Sequence, residues 1–278
     1  MKIGIIGLGL IGGSLALTLR SLGWEVLGTS RNRQTCTLAV ERSVVDSASI
    51  ELSHLAAARV IFICTPMASI VPIVEQLADL LSPEIILTDV GSVKAPIVRG
   101  ASQFWPNFVG GHPMAGTAEQ GLDAAQLGLF CDRPYVLTPL ETTPPESVEL
   151  VAQLAESLSA RVYRCAPESH DRAVALISHL PVFISAGLIT TCLDETNAEV
   201  LQLAQQLASS GFADTSRVGG GNPELGTMMA RYNREALLLS LRRYRQVLDG
   251  AIDRIEAEDW PGIMASLEQT KQGRSPFL

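Results

Sequence analysis

Three absences narrow what this 278-residue chain can be. Its 21 basic residues are outnumbered by 29 acidic ones and form no cluster, so nucleic acid and anionic membranes are poor candidate partners. The five cysteines include no C-x-x-C pair, so neither a disulfide framework nor a metal site is indicated. No charged leader precedes an apolar core, and no uninterrupted apolar run is long enough to span a bilayer. We therefore expect a reduced, cytoplasmic globular protein.

A glycine-rich turn near the N-terminus separates a short apolar run from a stretch with leucines at helical spacing. Gly7, Gly9 and Gly12 stand in G-x-G-x-x-G order, with Leu10 and Ile11 between them. This order between a strand and a helix is typical of a dinucleotide site, whose pyrophosphate lies on the free N–H groups of the helix. The alternative is a turn that needs glycine only for positive φ.

The end of the second predicted strand indicates which dinucleotide binds. In sheets that bind NAD, an acidic residue roughly 20 residues beyond the glycine turn binds the ribose 2′-hydroxyl. The sequence there has no carboxylate and carries Ser30 and Arg31 instead. A hydroxyl and a guanidinium suit a 2′-phosphate, which favours NADP over NAD. The alternative is a solvated polar loop.

Apolar runs of strand length alternate with helical patterns over the first part of the chain, for example 60–64, 71–81 and 85–90. This alternation predicts an α/β fold, a Rossmann-type doubly wound and mostly parallel sheet. From about residue 166 helical patterns dominate. We therefore predict a cofactor domain over 1–165 and an all-helical substrate and dimerisation domain over 166–278.

The helical part is expected to contain separate helices over 169–177 and 182–192, and a long helix that begins at Asn222. In the long helix, apolar residues from Leu237 to Ile255 recur every three or four positions, which predicts one buried stripe. Such a face often forms a dimer interface. The alternative is packing against the chain's own cofactor domain.

Ligands of doubly wound sheets bind beyond the carboxyl ends of the strands, which draws attention to the residues that follow each strand. Thr65 and Pro66 follow one strand, and Ser92 and Lys94 follow the next. Ser92 could hydrogen-bond a substrate hydroxyl, and Lys94 could do similar work or merely cap a loop. Thr65 and Pro66 are expected at the cofactor.

Only four histidines occur, and one has a position suited to catalysis. His112 follows a short predicted strand at the ligand edge, where an imidazole can take a proton from a hydroxyl while hydride leaves the same carbon. His54 and His170 are expected to be solvated. His179 could be a core residue, and Arg217 could clamp a carboxylate or serve as a charge at a helix end.

Four motifs in order resemble the prephenate/arogenate dehydrogenase family of tyrosine biosynthesis: 89–94 (DVGSVK), 110–117 (GGHPMAGT), 178–181 (SHLP) and 215–217 (TSR). The resemblance implies that His112 is the catalytic base, that Ser92 assists it, and that Arg217 helps to hold the substrate carboxylate. It also places His179 in the substrate pocket and makes the helical domain a homodimer interface. The loop with Gly116 and Thr117 is expected to contact substrate.

Two departures from the family pattern bear on the choice of substrate. Many prephenate enzymes read H-L-P-H, whereas Pro181 is followed here by Val182. The loop often written G-T-E-x-S-G reads Gly116-Thr117-Ala118-Glu119-Gln120-Gly121. Losing an imidazole donor would weaken recognition of a keto-acid side chain, so we expect arogenate rather than prephenate.

Two other function classes stay open. A β-hydroxyacid or imine reductase would share the cofactor domain, but its usual catalytic lysine is missing because 169–192 contains no lysine. A non-enzymatic NADP-binding sensor would not need His112 at the ligand edge.

Overall fold

The computed structural model describes residues 1–117 and 119–277. Eight strands form one sheet, and the described chain is helical from residue 167 onward. The strands are β1 Lys2–Ile6, β2 Glu25–Thr29, β3 Ser47–Ser49, β4 Val60–Ile63, β5 Ile86–Asp89, β6 Phe108–Pro113, β7 Pro134–Thr138 and β8 Arg161–Arg164.

The helices divide between the sheet and the C-terminal segment. Those of the sheet are α1 Leu10–Ser21, α2 Arg33–Glu41, α3 Met67–Ala78, α4 Ala95–Ala101 and α5 Pro145–Ser157. The C-terminal ones are α6 Pro167–Val174, α7 Leu180–Leu193, α8 Ala198–Leu207, α9 Ser210–Ser216, α10 Pro223–Tyr232, α11 Arg234–Glu256 and α12 Trp260–Gly273.

The sheet has the order β3-β2-β1-β4-β5-β6-β7-β8. Neighbouring strands are parallel except β6 and β7, which are antiparallel. The predicted Rossmann-type, mostly parallel sheet is therefore confirmed. The short strand β3 was not predicted, because its sequence Ser-Ala-Ser lacks the apolar signal of a buried strand.

Both faces of the sheet are covered, which explains why the central strand β4 is apolar throughout. Along β4, Val60 and Phe62 pack with α1 and α5 on one face, whereas Ile61 and Ile63 pack with α3 and α4 on the other. Successive side chains of a strand point to opposite faces, so a strand between two helical layers needs apolar residues at every position.

The glycine turn between β1 and α1 has the geometry that its spacing predicts. Gly7 has φ 96°, and a Cβ there would lie 2.6 Å from the carbonyl oxygen of Cys64. A Cβ on Gly12 would overlap the carbonyl oxygen of Gly7, whereas one on Gly9 would meet open space. The helix starts at Leu10, and the amides of its first turn have no acceptor within the helix.

The C-terminal helices differ from the prediction in two places. The chain is helical without a break from Pro167 to Leu193, because the segment Ala175–His179 forms a π-helical turn where an interruption was predicted. Conversely, the helix that begins at Pro223 ends at Tyr232, and the long helix starts only at Arg234.

The apolar stripe of α11 is not buried within a single chain. Leu237 is buried, but Tyr244, Leu248 and Ile255 are 37%, 49% and 56% exposed. Packing against the chain's own cofactor domain, the alternative to a dimer interface, therefore leaves most of this stripe uncovered. An apolar face of this length indicates a protein partner.

Gly9 and Gly12 provide a matched pair for testing the geometry of the turn. We expect Gly12→Ala to lower the free energy of unfolding by about 1–3 kcal/mol, because the added methyl group must displace backbone. Gly9→Ala is the control and should be neutral within about 1 kcal/mol, because its methyl group meets no atom. Urea unfolding of both variants measures the difference, and equal stabilities would contradict the assigned packing.

Candidate active site

A cleft of about 700 Å³ opens at the carboxyl ends of β1, β2 and β4. Its lining includes six of the residues predicted to bind the cofactor: Gly7, Gly9, Ser30, Arg31, Thr65 and Pro66. Leu10, Ile11 and Gly12 form the first turn of α1 directly beyond Gly9. The structure thus brings the nine predicted residues to one place.

The cleft fits a dinucleotide in its shape and its polar groups. Gly9 leaves open space beside the helix N-terminus, where a phosphate can approach the backbone. The hydroxyls of Thr29 and Thr65, which line this cleft, are buried without a partner in the described chain. Arg31 is exposed, Ser30 is half-buried, and none of the described lining residues is acidic.

His112 lies inside a strand rather than in the predicted loop. The pairing of β6 with β5 ends at Val109, and the next four residues of β6 pair with β7, with His112 opposite Val136. His112 therefore projects past the end of β5, at the carboxyl edge of the parallel sheet. It is 9% exposed, and no hydrogen bond to its Nε2 occurs among the described residues.

A chain of hydrogen bonds connects His112 to the helical segment. Its Nδ1 lies 2.8 Å from Nε2 of His170, and Nδ1 of His170 lies 2.8 Å from Oδ1 of Asp171. His170 is only 3% exposed. The expectation that His170 is solvated is therefore wrong, because the helix face that carries it packs against the sheet.

The hydrogen bonds along His112, His170 and Asp171 determine which ring nitrogens carry a proton. Asp171 accepts hydrogen bonds at both carboxylate oxygens, so its neighbour His170 Nδ1 carries a proton. With both rings neutral, His170 Nε2 accepts and His112 Nδ1 donates. His112 is then left with an unprotonated Nε2, which is the nitrogen that can act as a base.

Asp171 also joins the two parts of the chain. Its Oδ1 accepts from the backbone amide of Lys94 at 2.7 Å, and its Oδ2 accepts from that of Ala95 at 2.8 Å. These amides belong to the N-terminus of α4, where a carboxylate satisfies free donors and the helix dipole. A side chain from α6 is thereby fixed against the sheet domain.

A buried ion pair supports the strand that carries His112. Lys94 is fully buried, and its Nζ bonds to Asp89 and, at 2.7 Å, to the carbonyl oxygen of Gly111. Asp89 Oδ1 in turn accepts from the amide of Gly111 at 3.2 Å. Of the two interpretations given for Lys94, the geometry therefore favours a structural one: the pair fixes the backbone beside His112.

The environment of His112 favours its neutral form. Burial lowers its pKa well below the ordinary 6.5, and the nearby His170, Lys94 and His179 lower it further. The ring is thus neutral at neutral pH, and its Nε2 is ready to accept a proton.

The remaining predicted residues differ in how far they are buried. Ser92 is half-buried, with its hydroxyl 3.6 Å from Sδ of Met67. Gly116 and Thr117 lie in an exposed stretch after β6, and the following Ala118 lies outside the described residues. These positions leave Ser92, Gly116 and Thr117 free to meet a ligand.

Arg217 is exposed directly after α9 and makes no side-chain hydrogen bond or ion pair in the described chain. The segment that carries it is fixed to α7, because Ser185 Oγ donates to the carbonyl of Thr215 and accepts from the amide of Gly219, both at 2.8 Å. A charged side chain on an anchored segment can receive an anion.

Sequence reasoning missed His170, Asp171 and Ser185 as parts of the site. A signal for the first two was present: the buried residues of α6 are Pro167, His170, Asp171 and Val174, at the i, i+3, i+4, i+7 spacing of one helix face. That spacing places both polar residues on the stripe that packs inward. No comparable signal distinguishes Ser185.

Family models match both parts of the chain. Residues 15–164 match the nucleotide-binding domain of prephenate dehydrogenase, and residues 166–269 match its dimerization domain. The chain belongs to the prephenate dehydrogenase family. The resemblance predicted from the four motifs is thereby confirmed. The members of this family are oxidoreductases, and residues 15–164 belong to the domain that binds the nicotinamide dinucleotide cofactor.

Individual relatives agree with this assignment. The chain is 54% identical to Synechocystis arogenate dehydrogenase, with a TM-score of 0.94 and complete coverage of both chains. It is 25% identical to prephenate dehydrogenase from A. aeolicus in complex with hydroxyphenyl propionate and NAD+, with a TM-score of 0.93 over 100% of this chain and 98% of that one. Prephenate dehydrogenase of Bacillus subtilis is 30% identical over 97% of this chain and 74% of its own length.

One helical stretch in the described chain, Pro167–Leu193, is long and apolar enough to cross a membrane by length and composition, with a mean hydropathy of 1.9. The core helix of a soluble domain passes the same test. Here the stretch carries His170, Asp171 and His179, which are buried and hydrogen-bonded inside the molecule. It is weak evidence for a membrane span.

Buried histidines make stability depend on pH. The pKa values of His112 and His179 are lowered from 6.5, for His179 to about 4, chiefly by burial. Below pH 6.5 the unfolded chain takes up protons that the folded chain does not. We therefore expect the free energy of unfolding to fall as pH decreases from 7 to 4.5.

The variant His179→Gln isolates one of these contributions. It removes one titrating group, so its stability should decrease less steeply over the same pH range than that of the original protein. Urea unfolding at pH 7, 5.5 and 4.5 measures both slopes. Identical slopes would show that His179 does not stay neutral in the folded state.

Proposed function

We propose that this protein catalyses the oxidative decarboxylation of L-arogenate to L-tyrosine with transfer of hydride to NADP. The observation that carries the proposal is the buried His112–His170–Asp171 chain, which leaves an unprotonated imidazole nitrogen beside the carboxyl edge of a dinucleotide-binding sheet. Such a nitrogen suits a reaction in which a hydroxyl loses its proton while its carbon loses hydride.

In this proposal the substrate is a cyclohexadienyl ring with a hydroxyl at C4 and a carboxylate at C1. His112 Nε2 takes the hydroxyl proton. Bound NADP supplies the acceptor for the hydride that leaves C4. The C1 carboxylate departs as carbon dioxide, and its bonding electrons complete the aromatic ring. Since aromatisation drives the reaction, the protein mainly orients the substrate and controls charge.

The hydrogen-bond chain stabilises the charge that this step creates. When His112 Nε2 takes the proton, the ring becomes an imidazolium whose Nδ1 still donates to His170. The carboxylate of Asp171 lies at the far end of the same chain and compensates the positive charge. The hydrogen-bond chain thus fixes the tautomer of His112 before the proton transfer and stabilises its positive charge afterwards.

Other residues are assigned to substrate binding. Ser92 would hydrogen-bond the C4 hydroxyl together with His112, and Arg217 would pair with the C1 carboxylate. Gly116 and Thr117 would cover the side chain of the substrate, and His179 would line the same pocket. Gly116, Thr117 and Arg217 are exposed and Ser92 is half-buried, so these four residues are open to a ligand, whereas His179 is buried.

Two observations support arogenate over prephenate. Val182 replaces the second histidine of the H-L-P-H pattern, which removes an imidazole donor for a keto-acid side chain. The 54% identity to Synechocystis arogenate dehydrogenase points the same way. Relatives named prephenate dehydrogenase, at 30% and 31% identity, keep prephenate as the second candidate.

Support for NADP comes from the end of β2. Ser30 and the exposed Arg31 line the cleft there, and the described lining contains no carboxylate that would repel a 2′-phosphate. The side chain of Arg31 is free to form paired hydrogen bonds with such a phosphate.

We also propose a homodimer formed through the C-terminal helices. The match to the family's dimerization domain supports it, as does the apolar face of α11 that a single chain leaves open. A second copy would bury that face.

A four-way assay tests substrate and cofactor together. We expect kcat/KM to be greatest with arogenate and NADP, and to fall about 10–100-fold when NAD replaces NADP, because the charge-assisted hydrogen bonds to the 2′-phosphate are lost. The purified protein is assayed with arogenate or prephenate and with either cofactor. A higher kcat/KM for prephenate would overturn the substrate assignment.

A single substitution tests the base. We expect His112→Asn to lower kcat by about 10²–10⁴-fold, because the proton acceptor is lost. Cofactor affinity, measured by calorimetric titration of NADP, should stay unchanged, because His112 does not line the cleft. Turnover close to normal would remove His112 from this role.

A further inference from the structure

His179 has one ring nitrogen with a partner and one without. The amide nitrogen of Asn233 lies 3.1 Å from Nδ1 of His179. Nε2 is buried and makes no hydrogen bond within the described chain. A buried polar atom without a partner costs free energy, so its position calls for a ligand or a functional reason.

The orientation of the Asn233 amide follows from its second contact. Its nitrogen lies 2.7 Å from the backbone carbonyl oxygen of Asp171, which can only accept. The opposite orientation would place two oxygens in contact there. The NH₂ group therefore donates one hydrogen to Asp171 and directs the other at His179 Nδ1, which must accept it.

An accepting Nδ1 leaves the proton of a neutral ring on Nε2. His179 is neutral because burial lowers its pKa to about 4; His170 lowers it as well, and Asp171 opposes the shift. Its side chain is therefore an uncharged N–H donor. His179 is also one of the groups that lower the pKa of His112.

The break between α10 and α11 places Asn233 for this contact. Asn233 has φ −112° and ψ 36°, outside the helical range, and it is 5% exposed. Met229 and Leu237 bond to its backbone on either side, so the junction is held by both helices. His179, whose ring contacts Asn233, is the last residue of the π-helical turn Ala175–His179. Such turns are frequent at functional sites.

We propose that Asn233 is a positioning residue that holds His179 as the neutral Nε2–H tautomer, so that this ring donates a hydrogen bond to an oxygen of the bound substrate. The tautomer follows from contacts within the chain alone. The substrate contact rests on the proposed function.

Nitrogen NMR of protein with ¹⁵N-labelled histidine tests the tautomer without substrate. Only four histidines contribute signals, and His179→Gln identifies the signals of His179 by their loss. We expect an unprotonated Nδ1 and a protonated Nε2 from pH 8 to about pH 5, a unit above its pKa of about 4. A protonated Nδ1 in this range would overturn the proposal.

The isosteric variant Asn233→Asp tests the cause. A carboxylate can accept but not donate, so Nδ1 of His179 should become protonated. If that variant does not fold, Asn233→Ala serves, and the two ring signals should move toward each other as both tautomers become populated. An unchanged His179 spectrum in whichever variant folds would refute the role of Asn233.

Asn222→Asp is the matched control. Asn222 caps α10 by accepting from the amide of Glu224 at 2.8 Å, and aspartate caps a helix equally well. The same chemical change at this position should leave the His179 spectrum unaltered. A shift as large as that of the Asn233 variant would show that the effect is not specific to the Asn233 contact.

Kinetics tests the substrate contact. We expect Asn233→Asp to raise KM for the cyclohexadienyl substrate by about tenfold or more, with a much smaller change in kcat, because a binding contact is lost while the base is kept. An unchanged KM would refute the contact. If the original protein turns over neither substrate but shows the predicted spectrum, the proposed function fails and the tautomer assignment stands.

Discussion

The carboxylate of Asp171 is the constraint on which the candidate site depends. Two backbone amides at the start of α4 and one histidine ring converge on it, and its own backbone carbonyl binds Asn233. One residue of α6 thus connects the sheet, the proposed base and the junction of two C-terminal helices. A side chain with this many partners has a single position available, which in turn fixes the position of His170 and, through it, of His112.

What could be predicted from the sequence was set by local signals. The glycine turn is recognisable because three glycines fall within six residues, and two of them, Gly7 and Gly12, leave no room for a Cβ. Strand β4 is recognisable because a strand covered on both faces is apolar throughout. Ser30 and Arg31 line the cleft, and their distance from the turn was readable because it is set by one strand–helix–strand unit.

What could not be predicted depended on which surfaces meet. The solvated interpretation of His170 treated a polar helix start as a surface, and only the docking of α6 on the sheet makes it wrong. The stripe of α11 was recognised, but periodicity does not say whether its cover comes from the same chain or from another. The unbroken helix through His179 was missed because Pro181, which usually marks a boundary, is accommodated in the first turn after the π-helical segment.

His112 and His179 present opposite hydrogen-bonding groups at Nε2, and the reason is the different partner of Nδ1 in each ring. Nδ1 of His112 faces an acceptor, which leaves Nε2 as a base, whereas Nδ1 of His179 faces a donor, which leaves Nε2–H as a donor. Since burial holds both rings neutral, neither difference requires a difference in charge. Substrate orientation and proton removal would therefore be divided between two chemically identical side chains by hydrogen bonds that lie behind them, away from the ligand.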